Sequence, residues 1–342
     1  MSSCDYAIRM EFRLAFRRYR LPFRAPVRTA HGTWLEREGL YVCVERPDGT
    51  MGFGEASPLP TSGAETVGDD EAFCRSLGEL IDGDVLGRLP VGLCALKGAL
   101  RSAMGGPKAP LHQSLGVAAL LPAGRAVLSA APPKAEAGFR VFKWKVGVGA
   151  ADDEMAIFDD LIAALPSGST FRLDANGAWN PRTAGKWLGR CADRPVEFVE
   201  QPVAPDSRGA EDQLRGLSAD HPVPIGLDES IGGDSDVGRW MDAGWAGYYV
   251  VKPALLGDAS GVLERLAKLK AQVVFSSSLE TALGARAALM EAFAWQGEAH
   301  ALGFGVWPLF SNPAFDGPSA APFLRFEDVE RIRPETLWTA AS

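Results

Sequence analysis

The chain has 342 residues, 46% of them hydrophobic and 23% charged, with a formal net charge of −8. That length holds one large domain and a smaller one, and the acidic balance excludes a nucleic-acid surface built on phosphate contacts, which needs a basic footprint. No apolar run reaches the roughly 18 to 20 residues of a membrane span. The arginine-bearing start lacks the apolar core and cleavage site of a signal peptide, so a cytoplasmic location is expected. Cys4, Cys43, Cys74, Cys94 and Cys191 are too scattered for a disulfide framework or a structural zinc site and read as reduced thiols.

Residues 8 to 55 read as β-rich. Phe12, Leu14 and Phe16 alternate, and LYVCVERPDGTMGFGEAS reads as a hairpin turning at Pro47-Asp48-Gly49. Between them, PVRTAHGTWLEREG reads as a loop. Two helical stretches follow, over 65–87 and 91–104; in the second, Leu93, Leu96, Leu100 and Met104 keep helical spacing. Residues 1–105 are therefore expected to form an α+β domain, with 105–124 as a Gly/Pro/Ala-rich connection.

From residue 126 short β-like runs recur: AVLSA (126–130), FRVFKWKV (139–146), TFRLDA (170–175), VEFVEQ (196–201), PIGLDE (224–229), YYVVKP (248–253), VVFSSS (273–278) and AHALGFG (299–305). Helix-like segments separate most of them. The alternation predicts a parallel (β/α) barrel over residues 106–305. Only APPKAEAG joins the first two runs, too short for a normal helix, and irregular sequence follows the eighth. The tail, 306–342, is expected to pack back on the first domain.

Five charged residues sit at the C-terminal ends of successive runs: Lys145, Asp174, Glu200, Asp228 and Lys252. Barrel chemistry collects at that end of the strands. Three convergent carboxylates repel one another unless a cation lies between them, and a hard oxygen donor set suits Mg²⁺. Alternation puts Lys143 on the same face as Lys145; a second ammonium group nearby lowers a lysine pKa and frees an amine as base. Each acid alone reads as readily as a helix cap or surface partner; the common placement of three is what points to a metal. A divalent ion holding a substrate carboxylate, with a lysine removing the adjacent proton, is the reaction class this set suits. Arg172 and Asn176 flank Asp174 on its face and read equally as ligand or substrate contacts and as packing or helix-capping residues; Ser276, Ser277 and Gly303, at the ends of the seventh and eighth runs, are candidate substrate contacts. Gly147-Val148-Gly149 lacks the third glycine of a dinucleotide fingerprint, and the serines lie in no G-x-S-x-G elbow.

Together, K-x-K at Lys143 and Lys145, D-x-N at Asp174 and Asn176, E-Q-P at Glu200, D-E-S at Asp228 and Glu229, and K-P at Lys252 resemble the enolase superfamily, in its muconate-lactonising-enzyme-like branch. The resemblance covers nearly the whole chain. It implies an N-terminal α+β capping domain and a (β/α)7β TIM-type barrel without a last helix. It also implies one Mg²⁺, with Mn²⁺ as a substitute, held by Asp174, Glu200 and Asp228. Lys145 would be the base, Lys252 would face the other side of the substrate, and Lys143 would tune Lys145. T-A-H-G-T-W-L-E-R-E-G-L-Y-V, G-E-A-S-P-L-P at 54–60, S-S-S-L-E-T-A-L-G at 276–284 and A-L-G-F-G at 301–305 narrow the resemblance to members that dehydrate a small cyclohexadiene carboxylate to an aromatic acid in quinone biosynthesis. A capping segment near residues 25–38 would then close over the substrate. Racemisation of N-acylamino acids or epimerisation of dipeptides on the same scaffold is the alternative. A barrel that binds ligand without turnover belongs to a different class and is disfavoured by the complete set of polar residues.

Overall fold

The computed structural model of the chain describes residues 11–29, 32–60, 65–106, 108–319 and 321–341; Cys4, His31 and the tip of the 25–38 segment lie outside them. The chain opens with a long antiparallel ribbon, β1 (Glu11–Thr29) and β2 (Gly32–Glu45), followed by β3 (Met51–Ala56), α1 (Val67–Leu77), β4 (Leu80–Asp82), α2 (Val85–Arg88) and α3 (Cys94–Met104). These four strands form one sheet in the order β3-β2-β1-β4. Helix α3 lies against β3 so closely that a Cβ at Gly52 or Gly54 would stand 1.8 or 2.0 Å from the carbonyl oxygens of Ala103 and Ala99. Glycine at both positions is what lets the helix seat its Ala95, Leu96, Ala99 and Leu100 face on Leu40, Val42 and Val44.

Next come β5 (Ser114–Gly116), β6 (Ala119–Leu121), α4 (Val127–Glu136), β7 (Val141–Lys145), α5 (Ala151–Ala164), β8 (Thr170–Asp174), α6 (Pro181–Cys191), β9 (Val196–Glu200) and α7 (Ala210–Asp220). They continue as β10 (Ile225–Leu227), α8 (Asp234–Asp242), β11 (Tyr248–Val251), α9 (Ala259–Lys268), β12 (Gln272–Phe275) and α10 (Ala282–Phe293). Strands β6 to β12 form one parallel sheet in chain order. The segment around Leu302 and Gly303 closes it, bridging Val117 on one side and Ser276 on the other. Seven strands each followed by a helix, then an eighth closing segment without one, make a (β/α)7β barrel. The tail adds β13 (Phe323–Arg325), α11 (Phe326–Glu330) and α12 (Pro334–Ala340). β13 pairs with β5, while Trp338 packs on Phe53 and accepts a hydrogen bond from Arg17 through its carbonyl.

Alternation along the strands sorts the barrel into two cores. Outward residues such as Trp144 and Phe171 pack against α5 through Phe158. Inward Phe198, Val250 and Val274 form a small interior cluster with Tyr248 against them. Asn180 and Thr281 cap α6 and α10 with their side chains, which fixes where the chain leaves each turn.

Four sequence expectations fail here. AVLSA is not the first barrel strand: residues 127–136 are helix α4, and the strand is Ala119–Leu121, inside the stretch read as a connection. Pro132-Pro133 signals a break, but Val127, Ala131 and Ala135, spaced four apart, are buried against the barrel and outweigh it. The first barrel helix therefore exists, and the supposed short link was an error of register. On either side of Ala30 and His31, which lie outside the described residues, PVRTAHGTWLEREG is ribbon rather than loop: Val27 pairs with Trp34 and Leu21 with Arg37, with an irregularity between Pro22 and Val27. Finally, β4 interrupts the 65–87 helix, because Gly78 ends α1 and Ile81 pairs back on β1.

Candidate active site

Lys145, Asp174 and Glu200 are the last residues of β7, β8 and β9, and they stand side by side in register. Asp228 and Lys252 are the first residues beyond β10 and β11. In an eight-membered ring, β7 and β11 are four places apart, so Lys145 and Lys252 leave opposite walls of the barrel mouth. The three carboxylates occupy the arc between them.

Lys143, one inward position below Lys145, reaches up to the acids. Its Nζ lies 2.6 Å from Glu200 Oε1 and 3.0 Å from Asp174 Oδ2. Lys252 Nζ donates to Asp228 Oδ1. Burial disfavours the charge on Lys143, but Asp174, Glu200 and Asp228 outweigh it and raise its pKa. The same contest at Lys252 is won by Asp228 and Glu229. Both lysines are therefore fixed cations. Glu200 is pushed well above the ordinary carboxylate range, by burial and then by Asp174 beside it. Asp228 is lowered despite its burial because Lys252 and Lys143 face it. Burial, then the charge of Asp228, lifts Glu229 to about 7.

The donor set fits a hard divalent cation: three buried carboxylates on adjacent strands, one of them strained by its neighbours' charge. Among the described residues no three acidic, histidine or cysteine side chains stand as a ready-made metal cage. As the side chains lie, the lysine ammonium groups supply the counter-charge instead.

Behind the acids lies a supporting layer, in which the sequence reading singled out Asn176 but passed over Gln201. Gln201, fully buried, accepts from the amides of Asp228 and Ser230, both at 3.1 Å, and donates to Val203 O at 2.9 Å and Ser230 Oγ at 2.8 Å. It ties the end of β9 to the end of β10. Gln201 and Asn176 both adopt left-handed backbone, φ 37° and 44°. The Asn176 amide donates to Asp174 Oδ1 at 3.1 Å, and its side chain donates to Glu229 Oε1 at 3.1 Å. The E-Q-P and D-x-N motifs carried this signal, since a polar residue one or two places past a strand-end acid is placed to hold it.

Arg172 takes the packing role that its place one layer below Asp174 left open. It points inward below Asp174, but it is only 1% exposed. Its guanidinium is spent on Glu197, at 2.7 and 3.1 Å, and on Ala301 O at 2.6 Å. It braces the barrel interior. Ser276 and Ser277 are nearly enclosed at the end of β12, and Ser277 Oγ donates to Glu280. Gly303 faces Ser276 so closely that a Cβ would stand 2.7 Å from its hydroxyl. A further residue emerges from the misread connection: Leu120 pairs in register with Lys143, shares its inward face, and is 43% exposed. An exposed leucine on the inner wall gives the mouth an apolar side.

The glycine loop after β7 is closed by its own helix. Gly147, Val148 and Gly149 all donate backbone N–H groups to Glu154. A cleft of about 570 Å³ opens elsewhere, between β3, α3, α10 and the tail, but none of the five strand-end charges lines it.

A family profile described as "Enolase C-terminal domain-like" matches residues 126–318. An o-succinylbenzoate synthase of Thermosynechococcus vestitus is 38% identical over 86% of this chain and 92% of its own. A hydrophobic dipeptide epimerase of Roseobacter litoralis is 32% identical over 64% of this chain and 69% of its own. Among solved structures, the o-succinylbenzoate synthase of Thermosynechococcus elongatus BP-1, complexed with Mg in its active site, superposes with a TM-score of 0.79 at 35% identity, covering 96% of this chain and 99% of that one. The chain belongs to the enolase superfamily. Within it, the chain falls in the family of o-succinylbenzoate synthases, which are lyases.

Proposed function

We propose that the chain converts 2-succinyl-6-hydroxy-2,4-cyclohexadiene-1-carboxylate to 2-succinylbenzoate and water. One observation carries the reading: two lysines on opposite walls of the barrel mouth with three carboxylates in the arc between them. Asp174, Glu200 and Asp228 would hold Mg²⁺, with Mn²⁺ as a substitute. The ion would draw electron density from the substrate carboxylate and so acidify the adjacent C–H.

Lys145 takes that proton. The electron pair of the broken C–H bond forms the last ring double bond as hydroxide leaves the neighbouring carbon, and the proton on Lys145 completes the water. Lys252, held as an ammonium by Asp228, faces the opposite side of the ring and stabilises the negative charge that develops there. Lys143 adds positive potential beneath the acids. Gln201 and Asn176 keep Asp228 and Asp174 oriented. Leu120 offers the ring an apolar wall, and Ser276, Ser277 and Gly303 border the side away from the acids. The proposed organisation is a cap of residues 1–105 with the 306–342 tail, a barrel of 106–305, and a cytoplasmic location.

The opposed lysines also favour a second reading, in which each serves one face of a carbon and the chain racemises N-acylamino acids or epimerises dipeptides. Assays with the cyclohexadiene and with an enantiopure N-succinyl amino acid separate the two. Appearance of the aromatic product without loss of optical rotation from the amino acid supports the lyase. Loss of rotation with no aromatic product supports the second reading.

A further inference from the structure

Arg37 stands at the base of the β1–β2 ribbon, only 1% exposed. A buried guanidinium needs its N–H groups filled. Those of Arg37 are filled by carbonyl oxygens from three places. Glu38 O, at 3.2 Å, is its own neighbour. Ser57 O and Pro58 O, the latter at 2.9 Å, belong to the segment leaving β3. Ser278 O and Leu279 O, both at 3.3 Å, belong to the turn between β12 and α10.

The cap reaches the same turn with an anion. Glu55, buried at the end of β3, accepts from the amides of Thr281 at 3.0 Å and Gly284 at 2.8 Å, and from the hydroxyl groups of Thr281 and Tyr19. Residues 278–284 are thus held by a cation on their carbonyl side and a carboxylate on their amide side. Leu279, the second of them, has φ 63°. A branched residue in left-handed backbone is strained and persists only where its surroundings fix it. That turn begins with Ser276 and Ser277 at the barrel mouth.

We infer that Arg37 is a positioning residue for substrate binding. It joins the ribbon, the segment after β3 and the β12–α10 turn into one unit, and so sets the wall of the mouth opposite the three acids. It touches none of the five strand-end charges and leaves the proton transfer alone. The inference rests on the proposed function only for its choice of substrate.

Arg37→Lys keeps the charge but has three N–H donors on one atom where the guanidinium spreads five, so it cannot hold the five carbonyl groups together. KM for the cyclohexadiene rises about tenfold or more while kcat stays within about threefold, because binding geometry is lost and the base is not. The Mg²⁺ concentration for half activation does not move. Amide hydrogen exchange quickens at Leu279–Gly284 and not at the ends of β8 to β10. If the lysine variant fails to fold, Arg37→Gln, which keeps two donors without a buried charge, takes its place in both measurements. A purely structural role predicts lower stability or a smaller active fraction with KM unchanged, and that result overturns the inference. If wild-type protein does not turn over the cyclohexadiene, the proposed function fails and exchange decides alone: unchanged protection at Leu279–Gly284 overturns the positioning role.

Discussion

Replacing Gln201 by alanine tests whether the site's geometry is built from behind. Its side chain makes four hydrogen bonds, two as acceptor from the Asp228 and Ser230 amides and two as donor to Val203 O and Ser230 Oγ. The position is fully buried. Each such bond contributes about 1 kcal/mol net, and stranded buried amides cost more, so the loss should be about 3 to 5 kcal/mol. Asp228 also loses the anchor on its backbone. Removing a group that orients a metal ligand typically weakens metal affinity by about 10- to 100-fold. Urea unfolding followed by tryptophan fluorescence reads the first effect, and the Mg²⁺ dependence of turnover reads the second. A loss below about 1 kcal/mol together with unchanged half-activation by Mg²⁺ would refute the reasoning, since Gln201 would then be filling space and not holding Asp228.

Lys143→Met removes the ammonium between Asp174 and Glu200. Stability should fall more in EDTA than in saturating Mg²⁺, because only a cation then separates the two carboxylates; equal losses contradict the placement of the metal. Asp70, buried in α1 beside Glu65, has its pKa pushed up to about 9 by burial, then by the charge of Glu65 and a hydrogen bond shared with it. Below the ordinary carboxylate pKa both folded and unfolded chains keep this proton. Between there and about 9 only the folded chain keeps it, so stability is lost as pH rises through that range. Asp70→Asn should be more stable than wild type at pH 8 and flatter from pH 5 to 8 in urea titrations; parallel curves would contradict the assignment. Gly226→Ala places a Cβ 2.8 Å from the Phe198 ring inside the barrel. Overpacking there should cost about 1 to 3 kcal/mol, and a variant as stable as wild type would show that Phe198 has room to move.

The strand-end charges were legible because each closes a β-like run at a repeat the length of one strand and one helix. That spacing survives any uncertainty about where the helices begin. The first barrel strand was not legible: Ala119–Leu121 is three residues long, and only pairing with Phe142, Lys143 and Trp144 makes it a strand. Leu120 was lost with it. Helix α4 was hidden by two prolines whose effect local propensity overstates when the buried face is intact. Arg172 shares parity with Asp174 as expected, yet its partner Glu197 lies on the neighbouring strand, and only the register between β8 and β9 shows that its charge is already taken. Arg37 and Glu55 act on a turn more than 200 residues further along the chain, at separations of 242 and 226 residues for Leu279 and Thr281. No periodicity announces a contact of that kind.

The central claim is that Lys145 removes a proton beside a substrate carboxylate at a metal-dependent site. Absorbance of the protein with the cyclohexadiene carboxylate, in Mg²⁺, in EDTA and with Lys145→Ala, tests it most directly. The account predicts aromatic product in Mg²⁺, none in EDTA, and a rate about 10²- to 10⁴-fold lower in the folded variant. Folded, Mg²⁺-loaded wild type without turnover, or a Lys145→Ala variant at the wild-type rate, would contradict it.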